Sequence, residues 1–453
     1  MQPLPKEFEE QMKRLLGEAG FFAYLDALNQ PYTRALRVNL LLRPDGTPPC
    51  PIEGLGAPVP WAWGAYFVEG DARPGLSPLH EGGLFYMQEP SALTAVTALD
   101  PQPGERVLDL CAAPGGKSTQ IAALMAGRGL LCCNEPIPSR AQILSRNIER
   151  MGVRNAVVLS AMPDALAPRF PAFFDRILVD APCSGEGMFR RQPEARDEWD
   201  ADAPRRCADR QMEILAQAAK MLRPGGTMVY STCTFNDTEN EGVLRRFLAL
   251  HPEFSLVPFA LPGLPEAKDG YLHLYPHEMR GEGHFVSRLK KADGADETDA
   301  PVQAAPQRKA PARAAAKGKA PAPIALPDVF SDAFAPERLY TAGDALWMLP
   351  EGISIERLSG LRVLRTGLLL AHAEGKRSEP DHALAMALRP EEAARTASLT
   401  QTQALAYQAG ETLSLGDLPG GYTLLCCEGV SLGWGKQAGG LMKNHYPKGL
   451  RRR

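Results

Sequence analysis

The sequence has no apolar run approaching the roughly 20 residues that a bilayer-spanning helix needs. Its first residues, MQPLPKEFEEQMKRLL, lack the basic-then-apolar order of a secretion signal. A cytoplasmic protein without membrane contact is therefore expected. It also lacks any repeated C-x-x-C spacing. Nine cysteines, an odd number, stand at Cys50, Cys111, Cys132, Cys133, Cys183, Cys207, Cys233, Cys426 and Cys427, which argues against a disulfide framework or a metal site and turns attention to individual thiols. Positive charge is not in excess, with 50 Lys and Arg against 53 Asp and Glu, so the chain is not coated with basic charge for nucleic acid. No internal repeat of fixed period is present.

What is there is length and hydrophobic content. With 453 residues, 44% of them hydrophobic, the chain can build two or three cored domains. Basic residues gather locally at Arg190, Arg191, Arg205, Arg206 and Arg210, and at Lys443, Lys448 and Arg451 to Arg453. These read either as phosphate-holding patches or as solvated faces and a frayed tail.

Phe8, Met12, Leu15 and Leu16 recur at helical spacing, so the chain opens with an amphipathic helix. In TRALRVNLLL, Arg34 and Arg37 precede an apolar run, to grip phosphates or to decorate the surface. In GGLFYMQEPSALTAV, Ser91 is a candidate helix cap. From Glu105 onward, short apolar runs (107–110, 129–134, 156–160, 177–180 and 227–231) alternate with helices (118–125, 139–151 and 211–222), the pattern of a doubly wound parallel sheet. Antiparallel strands within 270–289 finish it. Residues 291–323 are almost without large apolar side chains and read as a disordered basic Ala/Pro linker. Beyond it a separate small domain of mixed strands is expected.

Three motifs fall at strand ends, where such sheets bind ligands. VLDLCAAPGGKSTQ is a strand, a glycine turn and a helix start, but its turn is neither G-x-G-x-x-G nor G-x-x-x-x-G-K-[ST], which disfavours dinucleotides and triphosphates. Glu135, at the end of the next strand, suits the two hydroxyls of a ribose. In RILVDAPCSGEGMFRR, Asp180 can accept or share a proton with a base and Cys183 brings a thiol to the same rim; in YSTCTF, Cys233 does so again. Two thiols and an acid match a specific need. C5 of a pyrimidine is a poor nucleophile until a thiolate adds to C6, while an acid steadies N3 and a base later removes the C5 proton. The methyl donor for such a site is S-adenosylmethionine. The residues alone leave the thiols unranked, and the D-A-P-C setting favours Cys183, since DNA cytosine methyltransferases attack from a Pro-Cys pair.

DLCAAPGGKS, VDAPCSGEGMFR and STCTF, with RVN and the Gly-to-QEPS segment upstream, resemble the RNA 5-methylcytosine methyltransferases of the Sun family from Thr33 to Leu289. The linker and the tail GWGKQAGGLMKNHYPKGLRR are similar to the bacterial RsmF-like branch, which modifies small-subunit (16S) ribosomal RNA. The resemblance implies an α/β fold: a Rossmann-like class I S-adenosylmethionine-dependent methyltransferase domain with an N-terminal α+β extension and a C-terminal PUA-like α+β domain. The expected division is an N-terminal RNA-binding extension (1–100), the catalytic domain (101–290), the linker (291–323) and a PUA-like RNA-binding domain (324–453).

Carried over by residue, the resemblance puts the nucleophile at Cys233, with Cys183 assisting breakdown of the adduct and Asp180 between cofactor and base. It lines the cofactor with Cys111, Ala112, Ala113, Pro114, Gly115, Gly116 and Lys117, gives the ribose to Glu135, and gives Lys117 a part in placing base or cofactor. Arg140 and Asp180 complete the cofactor set together with Asp164. The chain departs from the family in SAMPDAL, where Met162 takes the position of the adenine contact, leaving Asp164 or a backbone amide to make it. The implied partner is RNA, as small-subunit rRNA or the assembling small subunit, and a monomer is expected. Transfer RNA as substrate, or a catalytically silent ribosome-assembly protein, are the other readings.

Overall fold

The computed structural model describes residues 4–294, 324, 329, 336–374 and 377–452. Beyond residue 294 the expected linker lies outside the described residues. After a helix over Lys6–Leu28, kinked at Gly17, strands β1 (Arg34–Val38), β2 (Leu55–Pro58), β3 (Ala65–Val68) and β4 (Phe85–Gln88) form an antiparallel sheet in the order β2-β3-β1-β4. The turn after β4 is capped by Glu89, not Ser91: the Glu89 carboxylate accepts from the backbone N–H of Ser91 and Ala92 at 2.9 and 2.8 Å.

The central sheet takes β5 (Arg106–Asp109), β6 (Leu130–Asn134), β7 (Ala156–Leu159), β8 (Phe174–Asp180), β9 (Leu222–Thr232), β10 (Phe254–Leu256), β11 (Tyr271–Leu274) and β12 (His284–Lys291). β5, β6, β7, β8 and β9 run parallel, and β12 pairs antiparallel with β9. Both faces are covered, so successive residues serve opposite cores. Leu131, Cys133 and Leu178 pack with the helices Gly116–Leu124 and Pro138–Arg150, whereas Leu130, Cys132 and Ile177 pack with Ala203–Met221 and Glu241–Leu250. The tandem Cys132 and Cys133 are thus core residues. The helix expected over 211–222 starts at Ala203, because its first turns (APRRCADR) carry no apolar stripe.

The C-terminal region holds β13 (Leu339–Ala342), β14 (Ala345–Met348), β15 (Val363–Arg365), β16 (Leu368–Glu374), β17 (Arg377–Pro380), β18 (Thr396–Ser398), β19 (Gly421–Cys427), β20 (Val430–Ala438) and β21 (Leu441–Asn444). It carries two four-stranded sheets, β13-β14-β16-β17 and β18-β19-β20-β21, and sends β15 to pair antiparallel with β7 at the edge of the central sheet. It is not separate from the rest: Leu36, Val38 and Phe85 share one apolar core with Tyr407, Leu425 and Leu432. Among the described residues no helix is long and apolar enough to cross a membrane.

Candidate active site

The central sheet reads β10-β12-β9-β8-β5-β6-β7-β15, and its strand order reverses between β5 and β8, which opens a crevice at the carboxyl ends of the parallel strands. A cleft of about 620 Å³ occupies it. The residues that end or follow each strand line it: Cys111 and Ala113 after β5, Glu135 after β6, Met162 and Asp164 after β7, Asp180 and Cys183 at β8, and Cys233 after β9. Arg140, Arg210, Glu213 and Gln217 add the flanking helices.

Ala112, Pro114, Gly115, Gly116 and Lys117 are not among its lining residues. Gly115 takes φ of 112° before the helix, a conformation that glycine adopts without a Cβ penalty. Behind the turn, a Cβ on Gly116 would come 3.2 Å from the Tyr86 ring, and Arg37 donates to Gly116 O at 3.1 Å and Thr119 Oγ1 at 2.9 Å. Arg37 is 1% exposed: it clamps the glycine turn from behind and is neither a phosphate contact nor surface decoration. Arg34 likewise spends its guanidinium on the carbonyls of Gly70 and Ala72.

Glu135 is buried at the cleft wall. Its Oε1 accepts from Ile137 N at 3.0 Å and its Oε2 lies 3.3 Å from Arg140, which also donates to Ala113 O. Opposite, Lys117 Nζ is 2.7 Å from Asp180 Oδ2, Ser231 Oγ donates to Oδ1 at 2.8 Å, and His284 Nε2 lies 3.4 Å from that same oxygen. Burial alone would raise the Asp180 pKa, but the Lys117 ammonium and His284 outweigh it and hold the carboxyl well below the usual carboxylate range.

The two sulfurs of Cys183 and Cys233 are 3.3 Å apart. The hydrogen bond to Cys233, followed by burial, pushes the Cys183 thiol well above its ordinary range. Cys111 is pushed up too, chiefly by burial, and is an inert wall residue. Beneath the pair, Glu239 gathers the two thiol-bearing turns: it accepts from Ser184 N and Oγ and from Asn236 and Gln211. Glu186, also buried, accepts from Phe235 N and Asn236 N. Sequence reasoning missed Ser231, Glu239, Glu186 and His284; only their closeness to the STCTF, SGEG and GEGH segments marks them.

The basic clusters divide. The Arg190 side chain, 7% exposed, forms a two-point ion pair with Glu282, Arg205 and Arg206 pair with Asp202 and Asp200, and Arg210 lines the cleft. In the tail, Arg452 donates to the carbonyls of Leu76 and Ser77, Lys443 and Lys448 are exposed, and Arg453 lies outside the described residues.

Residues 96–290 match the family described as 16S rRNA methyltransferase RsmB/F. Flanking matches are the N-terminal domain of 16S rRNA methyltransferase RsmF over 4–90, the RsmF first C-terminal domain over 327–388 and the RsmF PUA domain over 394–452. A curated relative, ribosomal RNA small subunit methyltransferase F of Erwinia tasmaniensis, is 34% identical across 98% of this chain and 96% of its own length. The chain belongs to the RsmB/F family of 16S rRNA methyltransferases. The protein of the same name from Klebsiella pneumoniae is also 34% identical, over 98% of this chain and 96% of its own length. Among solved structures, a methyltransferase homolog from Pyrococcus horikoshii aligns with TM-score 0.54 and 29% identity over 63% of this chain and 95% of its own. NSun6 from the same organism, with SFG, aligns with TM-score 0.57 at 23% identity over 64% and 99%, a likeness of fold. Family and fold together make this RsmB/F member an S-adenosylmethionine-dependent RNA methyltransferase with a Rossmann-like catalytic domain, an RsmF-type N-terminal domain and a C-terminal PUA domain.

Proposed function

We propose that the chain methylates C5 of cytosine in small-subunit ribosomal RNA through a covalent bond between Cys233 and C6 of the base. The observation that carries this reading is the pair of sulfurs 3.3 Å apart in one cleft with the Lys117–Asp180 ion pair. The cleft's donor set fits the methyl donor. Glu135, Asp164, Asp180 and Glu213 outnumber Arg140 and Arg210 along its walls, a lining that favours a cationic sulfonium, and buried Glu135 is the group for a ribose diol. When bound, S-adenosylmethionine supplies the electrophilic methyl group. Glu135, Arg140 and Asp164, with Cys111 and Ala113, are the residues to hold it.

The chain's own groups divide the remaining work. Cys233 is the sulfur that attacks C6, the role the Sun-family resemblance gives it, and Cys183 stands 3.3 Å away, close enough to share a proton with it. Asp180 stays ionised, so it accepts a hydrogen bond, and the exocyclic amine of cytosine offers one. Lys117 is the proton donor of that pair and steadies the ring nitrogen as electron density moves. After methyl transfer the C5 proton passes to Cys183 as its thiolate while the C6–S bond breaks and its electron pair returns to the Cys233 sulfur; Cys183 is the group within reach of that elimination. The target base must leave its stack to enter.

Incubation with methyl-labelled S-adenosylmethionine and small-subunit rRNA, followed by mapping of 5-methylcytosine, tests the reading; absence of label at cytosine C5 sinks it. Cys233→Ala is expected to abolish methylation and adduct, and Cys183→Ala to accumulate a protein–RNA adduct. The opposite pattern exchanges the two thiols.

A further inference from the structure

One buried group beside Asp180 is given no step of its own in the chemistry above. His284 opens β12, and because β12 runs antiparallel to β9, its first residue sits at the end of the sheet where the parallel strands deliver Asp180 and Cys233. Its side chain alternates with Phe285, which faces the opposite core. The segment before it is tightly pinned. Glu282 is held by Arg190 and donates its backbone N–H to Glu89, and Gly283 takes φ of 101° where a Cβ would come 2.5 Å from the Phe235 ring. The backbone therefore has little freedom in aiming the imidazole. His284 is 3% exposed, and its Nε2, 3.4 Å from Asp180 Oδ1, has no well-directed hydrogen bond.

Each carboxylate oxygen has two acceptor sites. On Oδ1, Ser231 fills one and His284 stands before the other; on Oδ2, Lys117 fills one, and Asp180 itself lines the cleft. We propose that His284 is a positioning residue for methyl transfer. With its proton on Nε2 it closes on Asp180 Oδ1, blocks that oxygen together with Ser231, and leaves the Oδ2–Lys117 edge as the face of the carboxylate open to the target base. The proposal rests on the reading of Asp180 as the group that meets cytosine, and it adds what fixes the plane of that carboxylate. Without the imidazole the carboxylate can rotate about its Cβ–Cγ bond and offer either oxygen, so the base is held in more than one orientation.

Two measurements on the full-length protein test this. In protein labelled with ¹⁵N-histidine, the His284 ring is expected to show the Nε2–H tautomer, with a resonance that moves on Asp180→Asn; a ring protonated only on Nδ1, or one indifferent to Asp180, overturns the contact. This readout needs no turnover, so it stands whether or not cytosine C5 is the methylated atom. In turnover with rRNA, His284→Phe is expected to lower kcat by up to about 100-fold, as for a misplaced reacting group, with KM for RNA and the affinity for S-adenosylmethionine unchanged. His284→Gln, which returns an N–H near the Nε2 position, is expected to recover most of that loss. Equal losses in the Phe and Gln variants, or a loss confined to KM, mean that the residue only fills space. Should His284→Phe fail to fold, the kcat of His284→Asn, whose shorter amide cannot reach Oδ1, against Ser231→Ala decides: additive effects of the two in the double variant, where sharing of Oδ1 requires coupling, overturn the proposal.

Discussion

Arg190–Glu282 and Lys117–Asp180 are both ion pairs with 2.7 Å contacts in the catalytic domain, but they are finished to different degrees. Four guanidinium N–H groups of Arg190 are used, two by Glu282 and one each by Ala27 O and Gly281 O, and Glu282 also accepts from Thr33 N. One N–H of the guanidinium and one acceptor site of the carboxylate are left over, but with side chains 7% and 2% exposed neither is offered to a ligand. The pair instead ties the first helix and the start of β1 to the turn beneath Cys183. Lys117–Asp180 keeps an acceptor site open, and its carboxylate side chain is 28% exposed. A charge pair sealed in the interior serves the fold, and one whose carboxylate reaches the cleft at a strand end serves the reaction.

The sharpest way to break this contrast is to remove one member of each pair. Arg190→Met strands Glu282 in the interior and is expected to cost about 3–5 kcal/mol of stability, read by denaturant unfolding, with a loss of turnover in the folded fraction smaller than that of Asp180→Asn. Asp180→Asn is expected to lose roughly 100- to 1000-fold in kcat and less stability than Arg190→Met, since Lys117 can turn into the cleft. If both variants lose mainly stability, the distinction fails. The pH dependence follows the same logic. Lys117 and His284 together outweigh burial in setting the Asp180 pKa, so the stability this carboxylate contributes is present above the ordinary carboxylate range near pH 4 and is lost only as pH falls below it. No break in kcat near neutral pH is therefore expected from Asp180. The smallest effect belongs to the tail, where the contrast recurs between Arg452 and the exposed Lys443 and Lys448. Lys443→Ala with Lys448→Ala is expected to weaken RNA binding and reduce its salt slope by roughly one for each phosphate no longer neutralised. Equal salt slopes in that variant and the wild type remove the tail from RNA binding.

The strand-end positions were legible because a parallel sheet announces itself by short apolar runs alternating with helices, and its ligands gather where those runs stop. Glu135, Asp180, Cys183 and Cys233 meet in one cleft for that reason. What an arginine does was not legible. Arg37 and Arg190 look like solvent or phosphate residues in sequence, and only the tertiary fold brings carbonyls and carboxylates to their donors. The glycine turn looks like cofactor floor, yet Gly116 is shaped mostly by Tyr86 and Arg37 behind it, from a different sheet. His284 was hidden for a related reason: inside a strand, a histidine and a core residue have the same pattern, and only the pairing of β12 with β9 brings it to Asp180. The Cys132–Cys133 doublet was silent in the opposite sense, with chemistry-bearing residues placed back to back in two cores.

β15 closes the β7 edge of the central sheet with a strand taken from the C-terminal region. During synthesis that edge strand emerges about 200 residues after its partner, a delay on the order of ten to forty seconds at ordinary elongation rates. Throughout that interval the nascent catalytic domain presents an unpaired rim of backbone N–H and C=O groups, a surface open to pairing with other chains. The C-terminal region is thus also the cover of the catalytic sheet, and a protein shortened before residue 363 inherits the exposed rim permanently, as an aggregation-prone enzyme.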